Sequence, residues 1–277
     1  MIDPVVDASW IKGRPVVLAD VRWYLDGRSG REAYERGHLP GAVFIDLDAA
    51  LAGPAAPPDG RHPLPDPEVF AAAMSAAGIQ DQDQVIAYDD AGGVVAARLV
   101  WLLRATGHDA ALLDGGLTAY VEEPNAEQGE NLLTTEVPDR PRSSFTPRPW
   151  PADRLATLEE AAAPEHAVVL DARDSPRFRG DTEPVDPRPG HIPGARNLPC
   201  RGNVDASGRF LPVAELRERF AAVGVDGSAD VISYCGSGVT ACHNLIAQEH
   251  AGLGAGRLYP GSWSQYSHTS RPAATGD

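Results

Sequence analysis

The run Tyr234-Cys235-Gly236-Ser237-Gly238-Val239-Thr240 places one cysteine at the head of a glycine-rich turn. Such a turn lets successive backbone N–H groups converge on one point, and a helix beginning near Val239 adds the partial positive charge of its N-terminus. Both effects favour thiolate over thiol at Cys235. The amides from Gly236 to Thr240, with those of Gly236, Gly238, Val239 and Thr240 as the binding set, would also hold an anionic persulfide sulfur. The competing reading makes Cys235 a small buried residue in a tight turn, the commonest fate of a lone cysteine. The three cysteines, Cys200, Cys235 and Cys242, are too few and too badly spaced for a disulfide framework. No paired C-x-x-C or H-x-x-x-H signature suggests zinc, so no metal site is expected.

The elements that must position this loop emerge from an internal repeat. Val16-Val17-Leu18-Ala19-Asp20-Val21-Arg22 resembles Val168-Val169-Leu170-Asp171-Ala172-Arg173, each an apolar run ending in an acid and an arginine. Gly37-His38-Leu39-Pro40-Gly41-Ala42 returns as Gly190-His191-Ile192-Pro193-Gly194-Ala195. Val85 to Asp89 returns as Val231 to Cys235, and Asp114-Gly115-Gly116-Leu117 as Pro260-Gly261-Ser262-Trp263. The apolar runs read as buried strands, and the Gly/Pro blocks as turns. Helical periodicity covers Pro67–Ala77, Val94–Thr106, Val213–Val223 and Val239–His250. Alternating strand and helix predicts an α/β fold with two tandem domains, each a mainly parallel sheet flanked by helices on both faces. We place the first domain at 1–125, a Pro- and Glu-rich linker at 126–152 and the second domain at 153–277. In the first copy Asp89 stands where the second has Cys235, so only one loop can be nucleophilic.

Bulk properties narrow the partners. A chain of 277 residues exceeds the usual single core, and 43% hydrophobic with 23% charged residues is ordinary for a soluble globular protein. No window approaches the roughly 18 apolar residues that span a bilayer, and no secretory or transit signal is visible at Met1-Ile2-Asp3-Pro4. A formal charge of -15 repels phosphate backbones and anionic lipid. Neither nucleic acid nor membrane is expected as a partner, and the free thiols suit a reducing, cytoplasmic setting.

The blocks Gly37–Ala42, Asp114–Leu117, Gly190–Ala195, Cys235–Thr240 and Gly261–Trp263 resemble the signatures of the rhodanese superfamily, specifically its tandem-domain sulfurtransferases. The resemblance covers nearly the whole chain. It implies a rhodanese fold in each half, with a non-catalytic first domain and a catalytic second one. The loop C-G-S-G-V-T is similar to the 3-mercaptopyruvate sulfurtransferase version, whereas thiosulfate-preferring relatives carry Arg and Lys after the cysteine. Thiosulfate is a compact dianion that benefits from cations beside the sulfur, while mercaptopyruvate carries its single carboxylate at the far end from its thiol.

Charge for that carboxylate must then come from elsewhere. The resemblance implies Arg177 and Arg188 as substrate-binding arginines, with a solvated face or ion pairs as the alternative. Arg173 and Arg22 read as structural. The resemblance also implies a relay of Ser237, His62 and Asp48, across an Ala/Pro-rich segment longer than the family pattern. The alternatives are a surface loop histidine for His62 and a helix cap for Asp48. His38 and His191, present in both halves, are expected to fix loop geometry. Trp101, Trp263 and Cys242 are read as packing residues, Cys242 with a resolving thiol as its alternative.

The expected reaction takes sulfur from a small-molecule donor, 3-mercaptopyruvate, onto Cys235 and passes it to a thiol acceptor such as thioredoxin, or to cyanide, without a cofactor. Thiosulfate as donor, or a non-catalytic persulfide carrier, are the alternatives. A phosphatase of the same fold needs C-x5-R, and Ala241 stands at the arginine position.

Overall fold

The computed structural model describes residues 1–121 and 132–277, and these form two compact units. Unit 1 comprises Met1–Ala52, Pro65–Pro149 and Val204–Phe210, and unit 2 comprises Gly53–Leu64, Trp150–Asn203 and Leu211–Asp277. Each therefore recruits a short segment from the other half of the sequence.

Unit 1 is built on five parallel strands: β1 (Val5–Val6), β2 (Val16–Asp20), β3 (Val43–Phe44), β4 (Gln84–Tyr88) and β5 (Ala110–Leu113), in the order β1-β5-β4-β2-β3. The central strand β4 is apolar along nearly its whole length because helices cover the sheet, as a parallel sheet requires. Ile86, Tyr88, Ala111 and Leu39 meet in its core. Helix Ala97–Ala105 follows β4 and is buried almost all round. Even Arg98 is fully enclosed on it, its Nε donating to the Leu51 carbonyl at 3.2 Å.

Unit 2 repeats the plan with four parallel strands, β6 (Val168–Asp171), β7 (Arg196–Asn197), β8 (Val231–Tyr234) and β9 (Arg257–Leu258), in the order β7-β6-β8-β9. Its core gathers Val169, Ile232, Tyr234, Tyr259 and Trp263. The apolar runs read as strands thus lie at the centre of both sheets.

The repeated motifs are repeated devices. Arg22 makes a fork on Asp20 and donates Nη2 to the Gly37 carbonyl at 2.8 Å, while Arg173 does the same with Asp171 and Gly190 at 2.7 Å. His38 stacks on Tyr34 and its Nδ1 meets the Tyr34 carbonyl; His191 stacks on Phe178 and its Nδ1 meets the Phe178 carbonyl. These buried pairs lock the Gly-His-x-Pro-Gly turns, the geometric role expected of both histidines.

Residues 126–131 of the expected linker lie outside the described residues. The part from 132 to 149 is held by unit 1: Thr134 bridges His38, Ser143 N–H donates to Ser75 O at 2.9 Å, and Phe145 meets Phe70 edge-on.

Candidate active site

Strand β8 delivers Cys235 at its carboxyl end, where open α/β sheets place their ligands. Six residues, 235–240, separate it from helix Ala241–His250. Gly238 sits at φ +79°, and a Cβ there would lie 2.6 Å from the Pro260 carbonyl oxygen, so the turn tolerates no side chain. That conformation aims the Gly238 N–H at Cys235 Sγ, 3.1 Å away. Of the four amides expected around the sulfur, this is the one bonded to Sγ among the described residues.

A second segment pins the loop from behind. Cys235 N–H donates to Ser262 Oγ at 3.2 Å, Trp263 N–H to the Cys235 carbonyl at 3.0 Å, and Ser264 N–H to the Gly236 carbonyl at 2.8 Å. Ser262 has φ 52°, the one non-glycine residue at positive φ among those described. Cys235 itself is only 2% exposed. Cys200 is equally buried, and that burial, with the nearby Cys235 second, pushes its thiol up to about 12. Cys200 therefore stays a neutral thiol at physiological pH.

Segment Gly53–Leu64 brings His62 to this loop. Gly60, at φ +89°, lies so close to Gly261 that a Cβ would sit 2.6 Å from the Gly261 oxygen, and Arg61 N–H donates to Ser264 Oγ at 3.0 Å. The next residue then meets Ser237, with His62 Nδ1 and Ser237 Oγ 2.7 Å apart and both side chains buried. A hydroxyl and an imidazole at this distance, two residues beyond a thiol, can pass a proton.

Two guanidiniums face the loop. Arg177, on the short helix Ser175–Arg179, donates Nη2 to Glu183 Oε1 at 2.6 Å and to Asp186 Oδ2 at 3.1 Å. Arg61 donates Nη1 to Asp186 Oδ1 at 2.6 Å. A Cβ on Gly236 would lie 3.2 Å from Arg61 Nη2 and 3.5 Å from Arg177 Nη1. The site therefore brings together a thiol, a hydroxyl–imidazole pair and two guanidinium groups, a set able to supply a nucleophile, to pass a proton and to hold an anion.

The rhodanese-like domain family matches residues 8–123 and 154–269. A probable 3-mercaptopyruvate sulfurtransferase of Pseudomonas aeruginosa is 42% identical over 270 residues, 95% of this chain and 93% of the relative. A putative thiosulfate sulfurtransferase of Mycobacterium tuberculosis is 38% identical over 268 residues, 95% of this chain and 92% of its own. The solved 3-mercaptopyruvate sulfurtransferase of Leishmania major superposes with a TM-score of 0.84 at 31% identity, covering 97% of this chain and 75% of that one. The chain belongs to the rhodanese-like family. It is a tandem-domain sulfurtransferase of that family, with the α/β fold expected of it.

Within this sulfurtransferase the sequence-derived candidates separate. Cys235, Ser237, His62, Gly236, Gly238 and Arg177 come together in unit 2 as described. Val239 is buried, and Thr240 leads into helix Ala241–His250. Arg188 donates Nε, Nη1 and Nη2 to the carbonyls of Ser267, Arg271 and Tyr266 at 2.8–3.1 Å, anchoring the C-terminal stretch. Asp48 belongs to unit 1, where its Oδ2 accepts from Trp23 Nε1 at 3.0 Å. The reading of Asp48 as a helix cap is corrected: Asp46 Oδ1 accepts from the amides of Asp48 and Ala49 and caps helix Leu47–Ala50. Nor is His62 a surface histidine, at 6% exposed. Trp101 and Trp263 are fully buried, as expected of packing residues. Cys242 is also fully buried, its Sγ 3.4 Å from the Gly238 carbonyl.

Sequence reasoning missed Arg61, Asp186 and Ser262. The adjacency of Arg61 to His62 was one available signal. The replacement of Gly116 by Ser262 in the aligned repeat was another.

Proposed function

We propose that the protein moves sulfane sulfur from 3-mercaptopyruvate to a thiol or to cyanide through a persulfide on Cys235. The observation that carries this reading is Cys235 Sγ under the Gly238 amide, in a loop with no basic residue and with Ser237 bonded to His62. The Cys235 thiolate attacks the donor sulfur. The new S–S bond forms as the carbon–sulfur bond breaks, and the electron pair leaves on pyruvate enolate, which takes a proton at carbon to give pyruvate. An acceptor thiolate then attacks the outer sulfur and the Cys235 thiolate returns.

In this proposal Ser237 and His62 handle the protons, and Asp48 completes the relay by orienting His62. The amides of Gly236, Gly238, Val239 and Thr240 hold the terminal sulfur anion. Arg177 binds the donor carboxylate. Arg188 stays in the proposal with less to offer, since three of its N–H groups already serve backbone carbonyls. The scheme uses no metal or organic cofactor.

Thioredoxin is the acceptor we propose, and the cytoplasm the compartment, because all three cysteines are free thiols. The charge of -15 supports the exclusion of nucleic acid, and among the described residues no helix is long and apolar enough to cross a membrane. A second reading, with thiosulfate as donor, draws on the mycobacterial relative's name. Pyruvate release from 3-mercaptopyruvate in the presence of a thiol, compared with thiocyanate formation from thiosulfate and cyanide, tests the proposal. Higher kcat/KM with thiosulfate overturns the donor assignment. A stable persulfide that never turns over, seen by mass spectrometry without pyruvate, makes the protein a carrier.

A further inference from the structure

Segment Gly53–Leu64, which carries His62, is irregular chain that closes on itself through backbone bonds between Ala56 and Gly60, at 2.8 and 3.2 Å. A loop of this kind has no ladder or helix of its own to aim its side chains, so His62 points where the segment is held. The segment is held by the short helix Ser262–Tyr266. Gln265 Nε2 donates to the Pro58 carbonyl, and Ser264 Oγ accepts the Arg61 N–H at 3.0 Å. Gly60 permits that approach, since a Cβ there would sit 3.0 Å from Ser264 Oγ and 2.6 Å from the Gly261 oxygen.

Ser264 also holds the other side of the site. Its N–H donates to the Gly236 carbonyl at 2.8 Å, and that carbonyl lies in the peptide plane leading to Ser237. One residue thus grips the neighbour that precedes each member of the His62–Ser237 pair, whose Nδ1 and Oγ are 2.7 Å apart. Ser264 is itself firmly placed, at 3% exposure. Its hydroxyl proton is spent on the Gly261 carbonyl at 3.1 Å, so toward Arg61 the oxygen acts as acceptor, and its own carbonyl meets His268 Nδ1 at 2.7 Å. Thr118, at the matching place in the first repeat, is exposed instead.

We propose that Ser264 is a positioning residue for the sulfur transfer, holding Arg61 by its hydroxyl and Gly236 by its amide so that His62 and Ser237 stay within reach of a proton. This rests on the reading of His62 and Ser237 as the proton-handling pair and extends it. Ser264 acts through His62: the amide bond to Gly236 survives a change of side chain, whereas the hydroxyl bond to Arg61 does not.

A double-mutant cycle on the full-length protein tests this, with steady-state pyruvate release from 3-mercaptopyruvate measured for Ser264→Ala, His62→Ala and the two together. Ser264→Gly, which removes the same hydroxyl, takes the place of alanine should that variant fail to fold. Ser264→Ala lowers kcat about tenfold with KM within about twofold, and in the His62→Ala background it costs less than about twofold more. The same fold-loss in both backgrounds marks a residue acting on stability alone and overturns the role of Ser264. So does an unaltered kcat in Ser264→Ala beside an impaired His62→Ala, which leaves the proton-handling pair standing. Undiminished kcat in His62→Ala overturns the pair and the clamp together, and a wild-type protein that releases no pyruvate overturns the donor reading with them.

Discussion

The loops that follow β4 and β8 occupy the same place in the two repeats and differ in what fills them. In unit 1 the first loop residue is Asp89, 1% exposed, whose carboxylate accepts four backbone N–H groups: Ala91 and Gly93 at Oδ1, Val95 and Ala96 at Oδ2, all at 2.8–2.9 Å. In unit 2 it is Cys235, whose sulfur receives the Gly238 amide. The carbonyls of both residues accept the same return bond, from Leu117 N–H at 2.9 Å and Trp263 N–H at 3.0 Å. Unit 1 takes eight residues (89–96) to reach its helix, where unit 2 takes six (235–240). The affinity for negative charge is thus a property of the loop backbone, and the chemistry is a property of its first side chain. A carboxylate is a fixed anion that closes the cradle, whereas a thiolate at the same place is able to take on a second sulfur and yield that outer sulfur to an acceptor.

The comparison breaks most severely if the two loops are interchangeable in catalysis. Cys235→Ser should reduce pyruvate release by at least about a thousandfold, since the oxygen nucleophile cannot form a persulfide. Asp89→Ala should leave kcat of the folded enzyme within about twofold, because unit 1 contributes no nucleophile. Retained turnover in Cys235→Ser, measured with a thiol acceptor, removes the functional difference between the loops. Next in size is His62→Ala, expected to lower kcat by roughly a hundredfold by stripping Ser237 of its imidazole partner at 2.7 Å. Undiminished kcat in that variant would make the pair a packing contact.

Asp89 should show its importance in stability instead. Asp89→Ala leaves three buried amides and the half-buried Ala91 amide without an acceptor, and a loss of about 3 kcal/mol or more in unfolding free energy is expected by urea denaturation. Cys235→Ala should cost about 1 kcal/mol, with one amide released. Equal losses at the two positions would show that the unit 1 cradle is not held together by its carboxylate.

What the sequence disclosed follows the range of the interactions involved. The strands, the Gly-His-x-Pro-Gly turns and the Asp-x-Arg forks are local patterns, so the repeat displayed both sheets and the position of Cys235 before any coordinates. Ser237 was legible through the family resemblance, which implies a serine two residues beyond Cys235. Arg188 was harder, because its guanidinium binds carbonyls 78 to 83 residues away, at Tyr266, Ser267 and Arg271. Arg61 stayed hidden for a related reason: the membership of segment Gly53–Leu64 in unit 2, mirrored by Val204–Phe210 in unit 1, is a tertiary fact with no periodic signature. Asp48 illustrates the limit of a motif, since the capping role open to it went to Asp46 two residues earlier.

The smallest expected effect concerns the residue that backs each loop. Gly116 at φ +56° and Ser262 at φ 52° hold equivalent places, and only the serine bears the cost of a left-handed backbone with a side chain. It is retained with its hydroxyl in use, accepting from Cys235 N–H at 3.2 Å and donating to the Tyr259 carbonyl at 2.9 Å. Ser262→Ala keeps the strain and loses both bonds, so it should destabilise the protein by about 1 kcal/mol. Ser262→Gly loses the same bonds but relieves the backbone, and should be near neutral, about 1 kcal/mol better than alanine. Urea denaturation of the two variants isolates the strain as their difference. Should glycine prove as damaging as alanine, the left-handed turn is unstrained, and the serine marks the active loop by its hydroxyl alone.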